Sequence, residues 1–268
     1  MMSSNSADLR DELLFTQPES THLGECPICF LPQPLNGEYN KSAMFSCCSQ
    51  LICKGCSHAN IKKELEQRLQ PKCPFCRQRL PSTASEDDAN RMKRMEAGDA
   101  VAIREIAAKR YAMGNYRGAF EYWTKAAGMI GDAKSHYQLS DAYHQGKGVE
   151  KDERKEIFHL EEAAIRGHVI ARFNLGGYEY ENKNLDRAVK HWIIAANHGD
   201  DQSMKLLRDL YADGFVKKED LEAAFRAHRA AVLAMKSPER DIVEADGFLE
   251  ADRLALLSWA SRTASHRR

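Results

Sequence analysis

Across 268 residues the chain carries 39 Lys plus Arg against 39 Asp plus Glu, and 43% of its residues are apolar. No apolar run reaches the roughly 18 residues a membrane-spanning helix needs, the start MMSSNSADLRDELL shows no basic-then-apolar leader, and a balanced charge does not favour nucleic acid as a partner. Length allows one or two domains, no membrane association is expected, and the expected location is the cytosol or nucleus.

In chain order, the polar residues 1–21 are expected to be disordered. All eight cysteines follow, between Cys26 and Cys76. They are spaced as Cys26-x2-Cys29, Cys47-Cys48, Cys53-x2-Cys56 and Cys73-x2-Cys76. In a reducing compartment such clustered thiols point to metal ligands rather than disulfides. Four pairs suffice for two closed tetrahedral zinc sites, with no open position for a substrate water. A single zinc ribbon with spare thiols is the alternative, and it leaves Cys47, Cys48 and one further pair unexplained. The segment is short, and rich in Lys, Glu, Gln and Pro, so it buries too little apolar surface to fold unaided. Structural zinc, at about 10–16 kcal/mol per site in small peptides, supplies what the core lacks.

The order CPIC, CC, CKGC, CPFCR resembles a RING finger. The resemblance implies that the first and third pairs, Cys26, Cys29, Cys53 and Cys56, hold one zinc, and that Cys47, Cys48, Cys73 and Cys76 hold the other. Gln50 stands where many RINGs have a histidine ligand, so the all-cysteine variant fits best, with adjacent Cys47 and Cys48 converging on one ion. His58 is an alternative ligand, weighed against a solvated helix histidine. The resemblance further implies that a ubiquitin-conjugating enzyme docks on Ile28 and Pro74, and that Arg77 bridges that enzyme and ubiquitin, a role suited to a planar five-donor guanidinium. Asn60 stands where the docking helix usually offers a tryptophan. Catalysis would then proceed by orientation, with no catalytic nucleophile in this chain.

Residues 81–94, opening PSTASEDDAN, read as a linker after the zinc segment 22–80. Over 95–235 a repeat follows. The pairs Gly98-Asp99, Gly131-Asp132, Gly167-His168 and Gly199-Asp200 recur at intervals of 32 to 36 residues. Between them, Ala119, Trp123, Ala126 and Ala127 lie at helical offsets. So do Glu156, Leu160, Ala163 and Ala164, then Ala188, Trp192, Ala195 and Ala196, then Ala223, Ala227, Ala230 and Ala231. Each unit is expected to be helix, turn, helix, and such units bury their faces only by stacking. Ala133, Leu139, Tyr143, Gly146-Lys147-Gly148-Val149, Asp152, Ala163-Ala164 and Gly167 resemble a Sel-1-like repeat, a relative of tetratricopeptide repeats. Gly146-Lys147-Gly148 follows a helix, so it reads as repeat turn and not as a phosphate loop. Ser237-Pro238 starts a further helix over 236–262, expected to cap the open end of the repeats, and 263–268 is a tail.

The expected fold class is therefore a small zinc-bound RING domain, mixed α+β, followed by an all-α solenoid of Sel-1-like or tetratricopeptide-like repeats. The resemblances imply a RING-type ubiquitin ligase that recruits a ubiquitin-conjugating enzyme through two zinc ions and a protein substrate through the repeats. A non-catalytic zinc-binding adaptor is the alternative.

Overall fold

The computed structural model describes residues 4–35 and 41–246. The expected tail, Trp259 and the distal part of the expected capping helix lie outside them. Helix α1 (Ser4–Phe15) precedes a hairpin of β1 (Ser42–Phe45) and β2 (Gln50–Cys53), then α2 (Lys54–Glu66) and α3 (Ala84–Glu96). Helices α4 (Ala100–Ala112), α5 (Tyr116–Ile130), α6 (Ala133–Gln145), α7 (Glu153–Ile165), α8 (Val169–Glu181), α9 (Leu185–Asn197), α10 (Asp201–Ala212) and α11 (Lys218–Ala234) follow, and α12 (Pro238–Asp246) comes last. The chain divides into two units. One joins Leu23–Ile106 to the segment from Met235, and the other joins Met1–His22 to Ala107–Ala234.

In the first unit β1 and β2 pair antiparallel with Ser42 opposite Cys53 and Phe45 opposite Gln50. Ala43, Phe45, Ile52, Ile61 and Leu80 form its core together with Cys26, Cys53 and Cys73. Besides the sulfurs this cluster holds five apolar side chains, a small core, so the fold around the cysteines depends on what they hold. Helix α3 replaces much of the expected linker. Its polar sequence reads as a loop, but Thr83 caps it by accepting from the Glu86 N–H at 3.1 Å, and Glu86 reaches back to the Ser82 N–H at 2.8 Å. An Arg91–Asp87 pair at 2.5 Å spans one turn. Local capping and ion pairing stabilise a helix that buries no residue.

In the repeat unit the glycine–acid pairs act as punctuation. Gly131 ends α5 in the left-handed conformation, where glycine has no Cβ penalty. Asp132 then caps α6 by accepting from the Ser135 N–H at 2.8 Å. His168 and Asp200 cap α8 and α10 in the same way, from Ala171 and Ser203. On α5, α7 and α9, Ala119, Ala126, Ala163, Ala164, Ala188, Ala195 and Ala196 are buried, with Trp123, Leu160 and Trp192 filling the space between layers. The fourth helix departs from that pattern. In α11 the buried residue is Ala224, while Ala223 and Ala230 are exposed. Helix α11 packs on α9 and α10.

Two glycines show why the repeat needs them. A Cβ on Gly148 would lie 2.4 Å from the Tyr116 carbonyl oxygen, so the Gly146-Lys147-Gly148 turn is a packing device. A Cβ on Gly176 would lie 2.3 Å from Nε1 of Trp192, whose N–H donates to the Phe173 carbonyl at 3.2 Å. Neighbouring Gly177 has nothing within 4 Å. Gly176→Ala is therefore expected to destabilise the repeats by about 1–3 kcal/mol through overpacking. Gly177→Ala, which gains helix propensity in open space, is expected to stabilise by up to about 1 kcal/mol. Urea denaturation of the two variants checks the sign of each.

One terminal expectation is corrected. Much of the N-terminal segment 1–21 is not disordered: Ser4–Phe15 is helical and Leu14 is buried among Leu160, Ala163, Ala164, Ala171 and Leu175. A polar sequence can be ordered when a single apolar pair docks on a ready-made face. Helix α12 does start at Ser237-Pro238, with Ser237 Oγ accepting from the Arg240 N–H at 3.3 Å. Its described residues pack on α2 of the cysteine unit, and the remainder of the expected capping helix, 247–262, lies outside the described residues. Its buried residues are Val243 and Arg240, while Ile242 is half exposed. Gly55 permits the approach, since a Cβ there would lie 2.8 Å from the Arg240 nitrogen.

Candidate metal centre

Two knuckles of the same backbone design carry the first and last cysteine pairs. In Cys26-Pro27-Ile28-Cys29, the Phe30 N–H donates to the Cys26 carbonyl at 2.8 Å and the Cys26 N–H to the Leu31 carbonyl at 2.9 Å. In Cys73-Pro74-Phe75-Cys76, the Arg77 N–H donates to the Cys73 carbonyl at 3.0 Å and the Cys73 N–H to the Gln78 carbonyl at 2.7 Å. Phe30 and Arg77, the equivalent residues, both take left-handed φ values of 57° and 63°. That conformation is strained for a bulky side chain, and here it turns the chain so that both thiols of each pair face the same way.

The other two pairs are set by the hairpin and the helix it feeds. Cys47 and Cys48 occupy the β1–β2 turn, where the Cys48 and Ser49 N–H groups both donate to the Phe45 carbonyl and Ser49 is left-handed. That turn lets two adjacent side chains serve one cluster. Cys53 caps α2, its sulfur accepting from the Cys56 N–H at 3.5 Å, a position where the helix end favours a thiolate.

The eight thiols assemble into two groups of four, Cys26, Cys29, Cys53, Cys56 and Cys47, Cys48, Cys73, Cys76, and within each group the sulfurs lie within 4.8 Å of one another. All eight are free thiols. Zinc–sulfur bonds of about 2.3 Å in a tetrahedron place sulfurs about 3.8 Å apart. The Cys29–Cys53, Cys48–Cys73 and Cys47–Cys76 sulfurs are separated by 3.8, 3.7 and 3.4 Å. His58 belongs to neither group.

Electrostatics give the same answer. Hydrogen bonds from Cys53 and Cys56 hold the Cys26 thiol far below its usual pKa, and those from Cys47 and Cys48 bring Cys73 down to about 2. The donors move the other way. Cys53 and Cys56 are raised by their bonds to Cys26, and Cys47 by its bond to Cys48. Cys48 accepts from Cys47, which favours its thiolate, but the bond to Cys73 and burial outweigh this and lift it to about 12. Four thiols so close cannot all ionise without a cation among them, and a dication resolves the conflict in each cluster. The arrangement fits two metal ions, and the all-sulfur donor set is consistent with zinc.

Both clusters are braced from outside 22–80. Arg240 of α12, buried, donates from Nη2 to Cys29 Sγ at 3.5 Å and from Nη1 to the Pro32 carbonyl at 2.8 Å and the Met235 carbonyl at 2.6 Å. Arg94 of α3 donates to Ser49 Oγ at 2.8 Å and to the Cys47 carbonyl at 3.5 Å, held by Asp99 at 2.5 Å. Gln33, fully buried, ties the first knuckle to the hairpin by donating to the Leu51 carbonyl at 2.7 Å and accepting from Ser42 at 2.6 Å. Residue spacing announces the cysteines but carries no signal for these three braces. Partners that orient metal ligands commonly matter tenfold or more for affinity. In Arg240→Met, zinc transfer to a chromogenic chelator is expected to be about tenfold faster for one of the two ions, with the other unchanged.

Of the residues expected at the docking surface, Ile28 is 37% exposed and Arg77 is exposed. Pro74 is buried, so it offers no surface here. Its fixed φ suits the tight knuckle, and the exposed apolar side chain of that knuckle is Phe75. Asn60 donates its side-chain N–H to the Lys72 carbonyl at 2.9 Å, tying α2 to the last knuckle.

No known protein-family model matches the chain. It is 36% identical over 55 residues to a protein of Ostreid herpesvirus 1 (isolate France) named as RING finger protein ORF96, a match covering 20% of this chain and 22% of the viral one. A Sel1 repeat protein from Oxalobacter formigenes shares 23% identity over 56% of this chain and 65% of its own, with a TM-score of 0.47. The antigen c5321 of uropathogenic Escherichia coli, described as having an SLR fold, shares 21% identity over 62% of this chain and 37% of its own, with a TM-score of 0.43. The chain thus spans less than two thirds of the length of each of these proteins. Among the described residues no helix is long and apolar enough to cross a membrane. Two cysteine tetrads suited to zinc form a RING-like unit, and the helices that follow form helix-turn-helix repeats.

Proposed function

We propose that this chain is a RING-type ubiquitin ligase, in which the cysteine unit recruits a ubiquitin-conjugating enzyme and the helical repeats receive a protein substrate. The observation that carries the reading is the interleaved pair of tetrads with Arg77 exposed directly after the last ligand. All eight thiols are then committed to two zinc ions, so no cysteine remains to form a thioester, and the chemistry rests on presenting the conjugating enzyme's own thioester. Ile28 would supply the apolar contact, and the Arg77 guanidinium would donate to carbonyls of enzyme and ubiquitin together, holding the thioester in one pose. The repeats would supply substrate choice.

Autoubiquitination with a panel of conjugating enzymes tests this. Activity is expected in the wild type, none in Cys26→Ala, and a fall of about tenfold or more in Arg77→Ala with zinc content intact. Activity unchanged by Arg77→Ala would remove the bridging role. The second reading is a non-catalytic adaptor, favoured by the burial of Pro74 and by Asn60, both of which reduce the apolar docking platform. Inactivity of the zinc-loaded chain with every enzyme of the panel would favour it.

A further inference from the structure

In the repeat unit, residues 8–22 lie on α7, α8 and α9 in the manner of a bound peptide. Leu14 sits among Leu160, Ala163, Ala164, Ala171 and Leu175. The Phe15 ring lies 4.8 Å from that of His191, beneath the Arg187 guanidinium at 4.7 Å. Arg10 pairs with Glu161 at 2.6 Å, and Asp11 with Arg187 at 2.5 Å. Beyond the helix, Gln17 meets His198 at 2.7 Å, and His22 stacks on His168 at 4.1 Å while its N–H donates to the Gly167 carbonyl at 3.0 Å.

The receiving side is built and the bound side is thinly held. Arg172, 1% exposed, donates to the carbonyls of Leu14 and Ala164, and it has no carboxylate partner among the described residues. Burial pushes its pKa down to about 10. A buried cation is costly, and this one faces the carbonyl end of α1, where a helix carries partial negative charge. Of residues 8–22 only Leu14 is buried, whereas Leu9 and Leu13 are 60% and 59% exposed. A 12-residue helix does not persist alone in water, so α1 is a helix only while docked.

We propose that the face formed by α7, α8 and α9 is a docking site for a short partner helix of the pattern Asp-x-x-Leu-Phe, and that α1 occupies it as a built-in competitor. The inference rests on the reading that the repeats receive a protein substrate, and it names the chemistry of that substrate. Leu and Phe fill the apolar floor, the acid pairs with Arg187, and the last carbonyls of the helix meet Arg172. Being tethered, α1 acts at an effective concentration of about a millimolar, so a partner binds well only when α1 is weakened or the partner's own contacts are better.

The probe is a fluorescein-labelled peptide, DLRDELLFTQPESTH, the sequence of residues 8–22, titrated by anisotropy with the full-length zinc-loaded chain. Asp11→Lys in the chain sets a lysine against Arg187 at an exposed position and leaves the fold intact, which a thermal melt verifies. Binding is expected to be about tenfold tighter to Asp11→Lys than to wild type. Adding Arg172→Met is expected to weaken it about tenfold, a charged hydrogen bond's worth. A control peptide with alanine in place of the Leu14 and Phe15 equivalents is expected not to bind, and this arm depends on no change to the chain. Equal binding to wild type and Asp11→Lys, or binding to neither, overturns the inference. If a protein substrate is still held by the repeats, and equally well by wild type and Asp11→Lys, the substrate-receiving role survives and only this assignment of the site falls.

Discussion

Stripping zinc with a strong chelator is expected to unfold the cysteine unit while the repeats keep their helices. The expected readout is rapid proteolysis between residues 23 and 80, with most of the far-ultraviolet helical signal retained. The asymmetry follows from the cores. The cluster around the cysteines holds five buried apolar side chains besides its sulfurs among the described residues, and each structural zinc contributes about 10–16 kcal/mol in small peptides. The repeats draw on Trp123, Leu139, Leu175, Trp192 and Leu207, which need no metal. Cys73→Ala is expected to act like partial chelation. It removes the thiolate that Cys47 and Cys48 both serve, and it leaves a charged, buried cluster without its fourth ligand. A cysteine unit that keeps its protease resistance after chelation would contradict this.

The second large effect lies in the repeats and is set by pH. His191 is fully buried on α9, and neither ring nitrogen has a hydrogen-bond partner among the described residues. Burial, with Arg172 and Arg187 nearby, brings its pKa down to about 3. In the unfolded chain the ring takes a proton near pH 6.5, while in the folded chain it does so only near 3. Between these values the unfolded state binds more protons, so the stability contributed above 6.5 is lost progressively as pH falls. Going from pH 7.5 to 5 is expected to cost about 2 kcal/mol through this residue. His191→Leu, similar in volume and without the orphaned nitrogens, is expected to be at least as stable at neutral pH and to lack that loss. Urea midpoints followed by tryptophan fluorescence at pH 7.5 and 5 would show it. An equal acid loss in both proteins would place the sensitivity elsewhere, for example at His159, whose pKa burial and His136 bring to about 4.

How far the fold could be read from the residues depends on the kind of force involved. Metal ligation demands particular atoms at short range, so Cys26-x2-Cys29 and Cys73-x2-Cys76 announce themselves, and the structure groups all eight thiols as the RING resemblance implies. The helix-turn-helix period is equally legible. Gly131-Asp132 and Gly199-Asp200 place a left-handed stop beside an N-cap, and Trp123 and Trp192 mark the stacking face. Long-range partnership is not legible. Arg240 meets Cys29 across 211 positions, and Arg172 meets Leu14 across 158. Neither pair has a periodicity to betray it. Helix α3 was hidden for a different reason: its stability comes from caps and ion pairs, which resemble a polar linker when only hydrophobicity is counted.

Which knuckle residues reach the surface was legible only in part. Ile28 and Arg77 are exposed, while Pro74 is buried in the knuckle itself. A loop residue can serve either its own turn or a partner, and its neighbours in sequence do not say which. Phe75, exposed beside it, is the apolar side chain that the same knuckle turns outward.

Native mass spectrometry of the purified full-length chain tests the central claim most directly, since it weighs the bound metal. The account predicts two zinc ions per chain, with one lost from Cys26→Ser and the other from Cys73→Ser. A chain that is folded with one zinc or none, or in which a single cysteine substitution releases no metal, would contradict it.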